Sequence, residues 1–238
     1  DAKTLPTGQI LVEPEIEELG PKQAFMERDL YTIRWGQLLN DDIERFLFGK
    51  IDKNGADAVR GWISGNAIQI HRKFMDFFEY MDAQKLRTPK GLDWILKHFK
   101  GLPHVELMRQ MQAVRQMHCT MWSECVREIV SVVDSPVKFL VSDHPVTVYH
   151  PKLSPNAHEC TYPDDPGIEL VGSQTIFALD KNHCLILTNL EYADDPQGAA
   201  HLSRRTNARF RGDSMARTDA FIRDRKLSVM EVHAINRI

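Results

Sequence analysis

The sequence predicts an α+β fold, because helical patterns and strand patterns occupy different parts of the chain. Amphipathic helical patterns dominate residues 38–134, apolar strand patterns dominate residues 137–190, and a capped helix follows at 228–238. Since helices and strands do not alternate, we expect the helical half to pack on a small, mostly antiparallel sheet. We predict a single domain over residues 1–238, with a loop-rich basic segment at 191–226.

The composition narrows the class of protein. The chain has 238 residues, a hydrophobic fraction of 42% and a formal net charge of −3, so it can bury a core but has no overall attraction to nucleic acid or anionic membranes. No signal peptide is visible, and no apolar run approaches the ~20 residues of a membrane-spanning helix. The cysteines form no C-x-x-C pair, which favours free thiols in a reducing compartment. We therefore expect a cytoplasmic location.

The helical half begins with two short predicted helices. Asn40 is a suitable N-cap for a helix over Asp41–Lys50, and the sequence Lys53-Asn54-Gly55 is typical of a helix end. A second short helix is predicted over Ala56–Ile63, because Gly65 follows it.

Three longer helices are predicted next. The clearest covers about Asn66–Leu86, where aromatic and aliphatic residues recur at helical spacing. Another covers Lys90–Phe99. A long helix is predicted over His104–Val133, and Pro136 stops it because the residue before a proline disfavours helical backbone.

Two pairs of strands follow the helices. Val137–Val141 and Val146–Tyr149 flank a corner, Ser142–Pro145, and are predicted to form a hairpin. Thr175–Leu179 and His183–Thr188 are predicted to form a second hairpin, because turn-forming residues lie between them.

The last helix has a strong local start signal. Ser228 and Glu231 have the spacing of a capping box, and Leu227 with Val232 suits a hydrophobic staple. This helix is expected to close the domain.

The order of several segments resembles a known bacterial family. The segments are Phe74-x-x-Phe77, Gln84-x-x-Arg87-Thr88-Pro89, Phe139-Leu140-Val141-Ser142-Asp143-His144-Pro145-Val146, Thr175–Leu179 and Leu185–Asn189, with Asp29-Leu30-Tyr31-Thr32 near the start. Together they resemble the family called domain of unknown function 4238, over about residues 25–238. The family commonly has Pro-Leu-Ser where this chain has Ala178-Leu179-Asp180. The resemblance implies the same fold and choice of candidate residues, and it implies no reaction.

Asp143 and His144 are the first candidate catalytic residues. A carboxylate and an imidazole held at a strand end by Pro145 suit the orientation of a substrate and proton transfer near neutral pH. The alternative is that Asp143 forms a turn with its own backbone and His144 is simply exposed.

Gln84 and Arg87 are the next candidates. Gln84 lies on the apolar stripe of its helix, where a buried amide needs partners, and Arg87 is suited to a carboxylate or phosphate. The structural alternative is that both residues tie the helix end to backbone carbonyls or pair with Asp143.

His118 is the last candidate catalytic residue, with Arg115 one turn before it. It lies within a core-facing stripe, where a lone histidine is more often structural. A metal site is not predicted, because the spacings of His144, His150, His158 and Cys160 match no known metal pattern. The sequence identifies no cofactor and no oligomeric state.

Residues 204–226 form a locally basic segment. Arg204, Arg205, Arg209 and Arg211 are the candidate substrate-binding residues, and they could follow a nucleic-acid backbone. The alternative is a solvated loop that balances the acidic start of the chain.

Two functions from different classes remain open at this point. One is a hydrolase, with a nuclease of a defence or toxin system as the finer possibility. The other is a binding or scaffold module in which the same polar residues form a buried cross-link. The P-loop, Rossmann, nucleophile-elbow and zinc-protease motifs are absent from the sequence, so those enzyme classes have no support.

Overall fold

The α+β class is confirmed in the computed structural model. The structure describes residues 3–4, 10–11, 33–35, 38–40, 49–154, 156–198, 200–205 and 221–238. The chain divides into two compact units, residues 1–31 and 32–238. In the first unit, strand β1 (Lys3–Thr4) pairs antiparallel with β2 (Ile10–Leu11).

The second unit contains the helices and the main sheet. The helices are α1 (Gly49–Ser64), α2 (Ala67–Arg72), α3 (Phe74–Leu86), α4 (Pro89–His98), α5 (His104–Ser123), α6 (Leu190–Asp194) and α7 (Val229–Asn236). The strands are β3 (Ile33–Trp35), β4 (Leu38–Asn40), β5 (Val126–Ser131), β6 (Val146–Tyr149), β7 (Gln174–Ala178), β8 (His183–Thr188) and β9 (Phe221–Lys226). None of the described helices is both long and apolar enough to cross a membrane.

The main sheet has five strands in the order β6-β7-β8-β5-β9, and β3 pairs with β4 in a separate ribbon. The pairs β6–β7, β7–β8 and β8–β5 are antiparallel, and β5–β9 is parallel. The prediction of a mostly antiparallel sheet is therefore confirmed. Its predicted extent of 137–190 is too narrow, because β5 and β9 lie outside that range.

The two faces of the sheet belong to different cores. Side chains such as Ile129, Leu185 and Phe177 join the larger core on the helical side, where Trp62 stacks on Phe77 with ring centroids 4.0 Å apart. The intervening strand residues join a second core with Val232 of α7 on the opposite face. This alternation follows from the two-residue period of a strand.

The long helix predicted over residues 104–133 is wrong at its end. Helix α5 stops at Ser123, and Val126–Ser131 is strand β5 in the interior of the sheet. The apolar residues of this stretch also fit a strand, and β-branched residues are numerous in it. Backbone pairing with both β8 and β9 outweighs the helical period here.

The hairpin predicted from Val137–Val141 and Val146–Tyr149 is also wrong. The second segment is strand β6, but it pairs with β7, with Val146 opposite Phe177. Residues 137–141 form no strand, because their backbone bonds elsewhere. The N–H of Phe139 donates to the Lys181 carbonyl oxygen at 3.1 Å, and the N–H of Leu140 donates to Asn236 Oδ1 at 3.2 Å.

Helix boundaries in the first half differ from the prediction. Helix α1 runs through Lys53–Gly55 without ending. Gly55 serves packing there instead of a helix end, because Cγ of Tyr80 would lie 2.2 Å from an added Cβ. The predicted helix over 66–86 is broken at Lys73 into α2 and α3. The predicted helix over Asp41–Lys50 lies mainly outside the described residues.

Other predicted elements are confirmed. Helix α4 and the β7–β8 hairpin lie where the sequence places them. The capping box also forms, since Ser228 Oγ accepts from the N–H of Glu231 and Glu231 Oε2 accepts from the N–H of Ser228. The described parts of the segment 191–226 are less irregular than predicted, because they contain most of α6 and all of β9.

Candidate functional site

A small cavity of about 90 Å³ lies where the end of α3, the start of α4 and helix α5 meet the segment 163–169. Its walls combine apolar side chains with ionisable ones. The ionisable residues that line it are Lys85, Lys90, His118, His144, Asp165 and Glu169. Histidines from two different parts of the chain therefore face one space.

A buried carboxylate on α3 holds one of these histidines. Asp82 is fully buried, and its Oδ1 lies 2.7 Å from Nδ1 of His118 on α5. Its Oδ2 accepts a hydrogen bond of 3.1 Å from Nε of Arg115. Arg115 thus supplies a positive charge that balances the buried carboxylate.

The partner of Nδ1 decides the tautomer of His118. An ionised carboxylate only accepts hydrogen bonds, so Nδ1 carries the proton and donates it to Asp82. In the neutral ring, Nε2 then keeps its lone pair. Among the described residues, none hydrogen-bonds to Nε2, and the imidazole lines the cavity. His118 is therefore oriented as a base.

A second carboxylate forms a dense ion-pair cluster beside the first. Asp165 lies 2.5 Å from Nζ of Lys85, 2.5 Å from Nζ of Lys90 and 3.4 Å from Nε2 of His144. Burial by itself raises the pKa of Asp165, but the attraction of Lys85 and the hydrogen bonds from His144 and the lysines outweigh it. The pKa of the Asp165 carboxyl is therefore held well below its usual range.

Thr88 ties this cluster to the N-terminus of α4. Its Oγ1 lies 3.0 Å from Nδ1 of His144, donates to the Lys85 carbonyl oxygen and accepts from the N–H of Gly91. Pro89 has no N–H, so Thr88 satisfies a carbonyl that a continuing helix would bond. Burial lowers the pKa of His144, the neighbouring lysines add to that effect, and Asp165 opposes it.

The other predicted catalytic residues lie away from this cavity. Asp143 is exposed, and Gln84 is half-buried on α3. Arg87 forms a bidentate ion pair with Asp52 of α1, with distances of 2.9 and 3.0 Å. The corner at 142–145 does meet the helical half, but it does so through His144 rather than through Asp143.

The described part of the basic segment makes mostly internal contacts. Arg205 is buried, and its guanidinium donates to the carbonyl oxygens of Leu170 and Ser173. Arg225 pairs with Glu128 and Glu231. Arg204 is exposed, and the candidates Arg209 and Arg211 lie outside the described residues.

Several residues of the cavity were not predicted from the sequence. Asp82 could have been found, because it lies between Phe78 and Leu86 at helical spacing and is the acidic residue on that buried stripe. Asp165 and Glu169 carry no such signal, since they belong to an irregular segment. Over the described residues, no group of three or more His, Cys, Asp or Glu side chains is arranged to hold a metal ion.

Comparison with known proteins finds no family model, no curated protein and no solved structure that matches this chain. The resemblance to the domain of unknown function 4238 family stays a prediction.

Proposed function

We propose that this protein is a hydrolase in which His118, oriented by Asp82, is the general base. The observation that carries the proposal is the contact of 2.7 Å between the buried Asp82 carboxylate and Nδ1 of His118, whose ring lines the cavity. A carboxylate that fixes the tautomer of a histidine is a recurring arrangement in hydrolytic enzymes.

The reaction follows from that tautomer. Nε2 of His118 takes a proton from a water molecule as the water oxygen bonds to the electrophilic carbon or phosphorus of the substrate. The bond to the leaving group then breaks, and the imidazolium returns the proton to the leaving atom. Asp82 stabilises the imidazolium, and a general base of this kind contributes about 10²- to 10⁴-fold to the rate.

A binding or scaffold module is the second candidate function. It is favoured by the cluster of Asp165 with Lys85, Lys90 and His144, in which each charged side chain has a partner within the protein. In that case the same polar residues cross-link the helices to the segment 163–169 and no substrate is turned over.

A nuclease is the finer form of the hydrolase proposal, and it depends on the basic segment. Within the segment 204–226, the described basic residues other than Arg204 are engaged with carbonyls or carboxylates, so a small substrate is favoured over a nucleic acid. Including a phosphodiester among the test substrates distinguishes a nuclease from a hydrolase of small substrates.

The test compares hydrolysis by the wild-type protein and by His118→Asn. Asparagine keeps an N–H close to the position of Nδ1 and removes Nε2, so the bond to Asp82 is retained. The panel contains p-nitrophenyl esters, p-nitroanilides, p-nitrophenyl phosphate and bis-p-nitrophenyl phosphate. We expect turnover of one class and a fall in kcat of about 10²- to 10⁴-fold in the variant, with an unchanged melting temperature.

His71→Asn is the matched control, because His71 is an exposed histidine on α2. It should retain full activity. Wild-type inactivity on every substrate class, or full activity of His118→Asn, would show that His118 is not a general base and would favour the binding module.

A further inference from the structure

We propose that Glu169 recognises a protonated amine, so that the substrate is a small ester or amide carrying an ammonium group. This inference rests on the proposed hydrolase for the ester or amide bond, and the amine site itself can be tested without hydrolysis. Glu169 is not among the candidate site residues predicted from the sequence. It lines the same cavity as His118.

The four charged side chains of the cavity are not equivalent. Lys85 and Lys90 are each 2.5 Å from Asp165, so these two cations and one carboxylate form a cluster. The Glu169 carboxylate has no hydrogen bond or ion pair with any described residue, although the backbone carbonyl of Glu169 accepts from the N–H of Arg205. The formal charges of Lys85, Lys90, Asp165 and Glu169 sum to zero. The charged group that lacks a partner therefore decides whether a cationic or an anionic ligand is favoured. That group is a carboxylate.

A glycine makes room for this carboxylate. An added Cβ on Gly167 would lie 2.4 Å from Oε1 and 2.5 Å from Oε2 of Glu169, so the carboxylate lies directly against the glycine. The backbone there is well fixed, since the Gly167 carbonyl oxygen accepts from Ser173 Oγ at 2.7 Å and from the N–H of Leu170 at 3.1 Å. The half-buried carboxylate therefore lies in the wall of the cavity, against a fixed stretch of backbone.

The remaining walls suit the carbon skeleton of such a ligand. Trp94, Met117 and Ile168 provide apolar surface beside Glu169. An indole ring near a carboxylate also attracts an ammonium group through its π electrons. Because Glu169 and His118 line one small cavity, a ligand whose amine binds Glu169 also lies beside His118.

The experiment is a calorimetric titration of the wild-type protein with benzylamine and with benzyl alcohol, its neutral isostere, at pH 7.5. We expect benzylamine to bind and benzyl alcohol to bind at least about 10-fold more weakly, because hydrogen bonds to charged groups are stronger than neutral ones. Glu169→Gln should weaken benzylamine binding about 10- to 100-fold and leave benzyl alcohol binding unchanged.

Gly167→Ala is an independent second variant, because its new methyl group displaces the flexible end of Glu169 while the backbone stays in place. It should weaken benzylamine binding as Glu169→Gln does. Glu159→Gln, an exposed glutamate outside the cavity, is the control and should bind as the wild type does. Circular dichroism and melting temperature verify that each variant is folded.

The outcomes separate the two proposals. Equal binding of benzylamine and benzyl alcohol, or unchanged benzylamine binding in Glu169→Gln, would overturn the amine site even if His118→Asn abolishes hydrolysis. Loss of benzylamine binding in Glu169→Gln and Gly167→Ala supports the amine site even if no substrate is hydrolysed. His118→Asn should retain benzylamine binding, because the ammonium group is bound by Glu169 and not by His118.

Discussion

Replacing Asp165 with asparagine tests how much the ion-pair cluster stabilises the fold. The side chains of Asp165 and Lys85 are only 13% and 11% exposed, and that of Lys90 is 24% exposed. Removing one partner from a buried ion pair leaves an uncompensated charge and costs about 3–5 kcal/mol. For a chain of this size, that loss corresponds to a fall in melting temperature of roughly 6–20 °C.

The assay is urea unfolding followed by tryptophan fluorescence, at pH 7 and at lower pH. The folded pKa of Asp165 lies below its unfolded value of about 3.9. Its contribution to the free energy of unfolding is therefore complete above that pH and is lost as the pH falls below it. Asp165→Asn should thus be destabilised at pH 7 and should lose less stability than the wild type on further acidification.

Two comparisons make this prediction refutable. Asp164→Asn is the matched control, because its partners Lys97 and His98 are 45% and 41% exposed, and it should lose no more than about 1 kcal/mol. Adding Lys85→Met to Asp165→Asn should restore part of the stability by removing the buried charge. If Asp165→Asn is as stable as Asp164→Asn, or if adding Lys85→Met lowers stability further, Asp165 does not stabilise the fold through a buried ion pair.

Three further predictions concern stability. Burial lowers the pKa of His144 in the folded protein, so the unfolded chain takes up a proton first as the pH falls below about 6.5. The free energy of unfolding of the wild type should therefore decrease below that pH. His144→Asn should remove the part of this decrease that His144 causes. Thr88→Val should cost about 1–3 kcal/mol in urea unfolding, since it leaves the Lys85 carbonyl and the Gly91 N–H without their buried partner. Ser228→Ala should cost about 0.5–2 kcal/mol in the same assay by removing the cap of α7.

Each of these predictions has a result that contradicts it. A difference between wild type and His144→Asn that is constant from pH 7.5 to 5 would show that His144 does not titrate differently in the two states. Thr88→Ser keeps the hydroxyl and should be close to wild type, so an equal loss in both Thr88 variants would point to packing. A Ser228→Ala protein as stable as the wild type would show that the cap does not limit stability.

Local signals in the sequence predicted the elements that depend on neighbouring residues. The capping box of Ser228 and Glu231 is such a case, because both hydrogen bonds lie within one helical turn. The β7–β8 hairpin is another, since the turn residues and the apolar strands are adjacent. These elements were correctly placed without knowledge of the rest of the fold.

Elements that depend on distant partners were predicted less well. Strand β5 continues the apolar pattern of α5, and only its pairing with β8 and β9 identifies it as a strand. Residues 137–141 have strand-like sequence but bond to Lys181 and Asn236 instead of to β6.

The candidate site shows the same limit. His118 and His144 were both identified from the sequence, and both line the cavity. The carboxylates that partner them, Asp82 and Asp165, reach them across 36 and 21 residues of chain. Spacing within one element cannot reveal such pairs, because tertiary contacts bring them together.

The parallel pairing of β5 with β9 has a consequence for how the chain is made. Glu128 and its partner Arg225 are separated by 97 residues, so β5 emerges during synthesis long before the strand that covers its second edge. The unpaired edge of β5 is a template for association with other chains until then. Since contacts this distant in sequence form slowly, the nascent protein is expected to complete its sheet only after residue 226 has been added. Shortened chains that stop before β9 should therefore collect in the insoluble fraction.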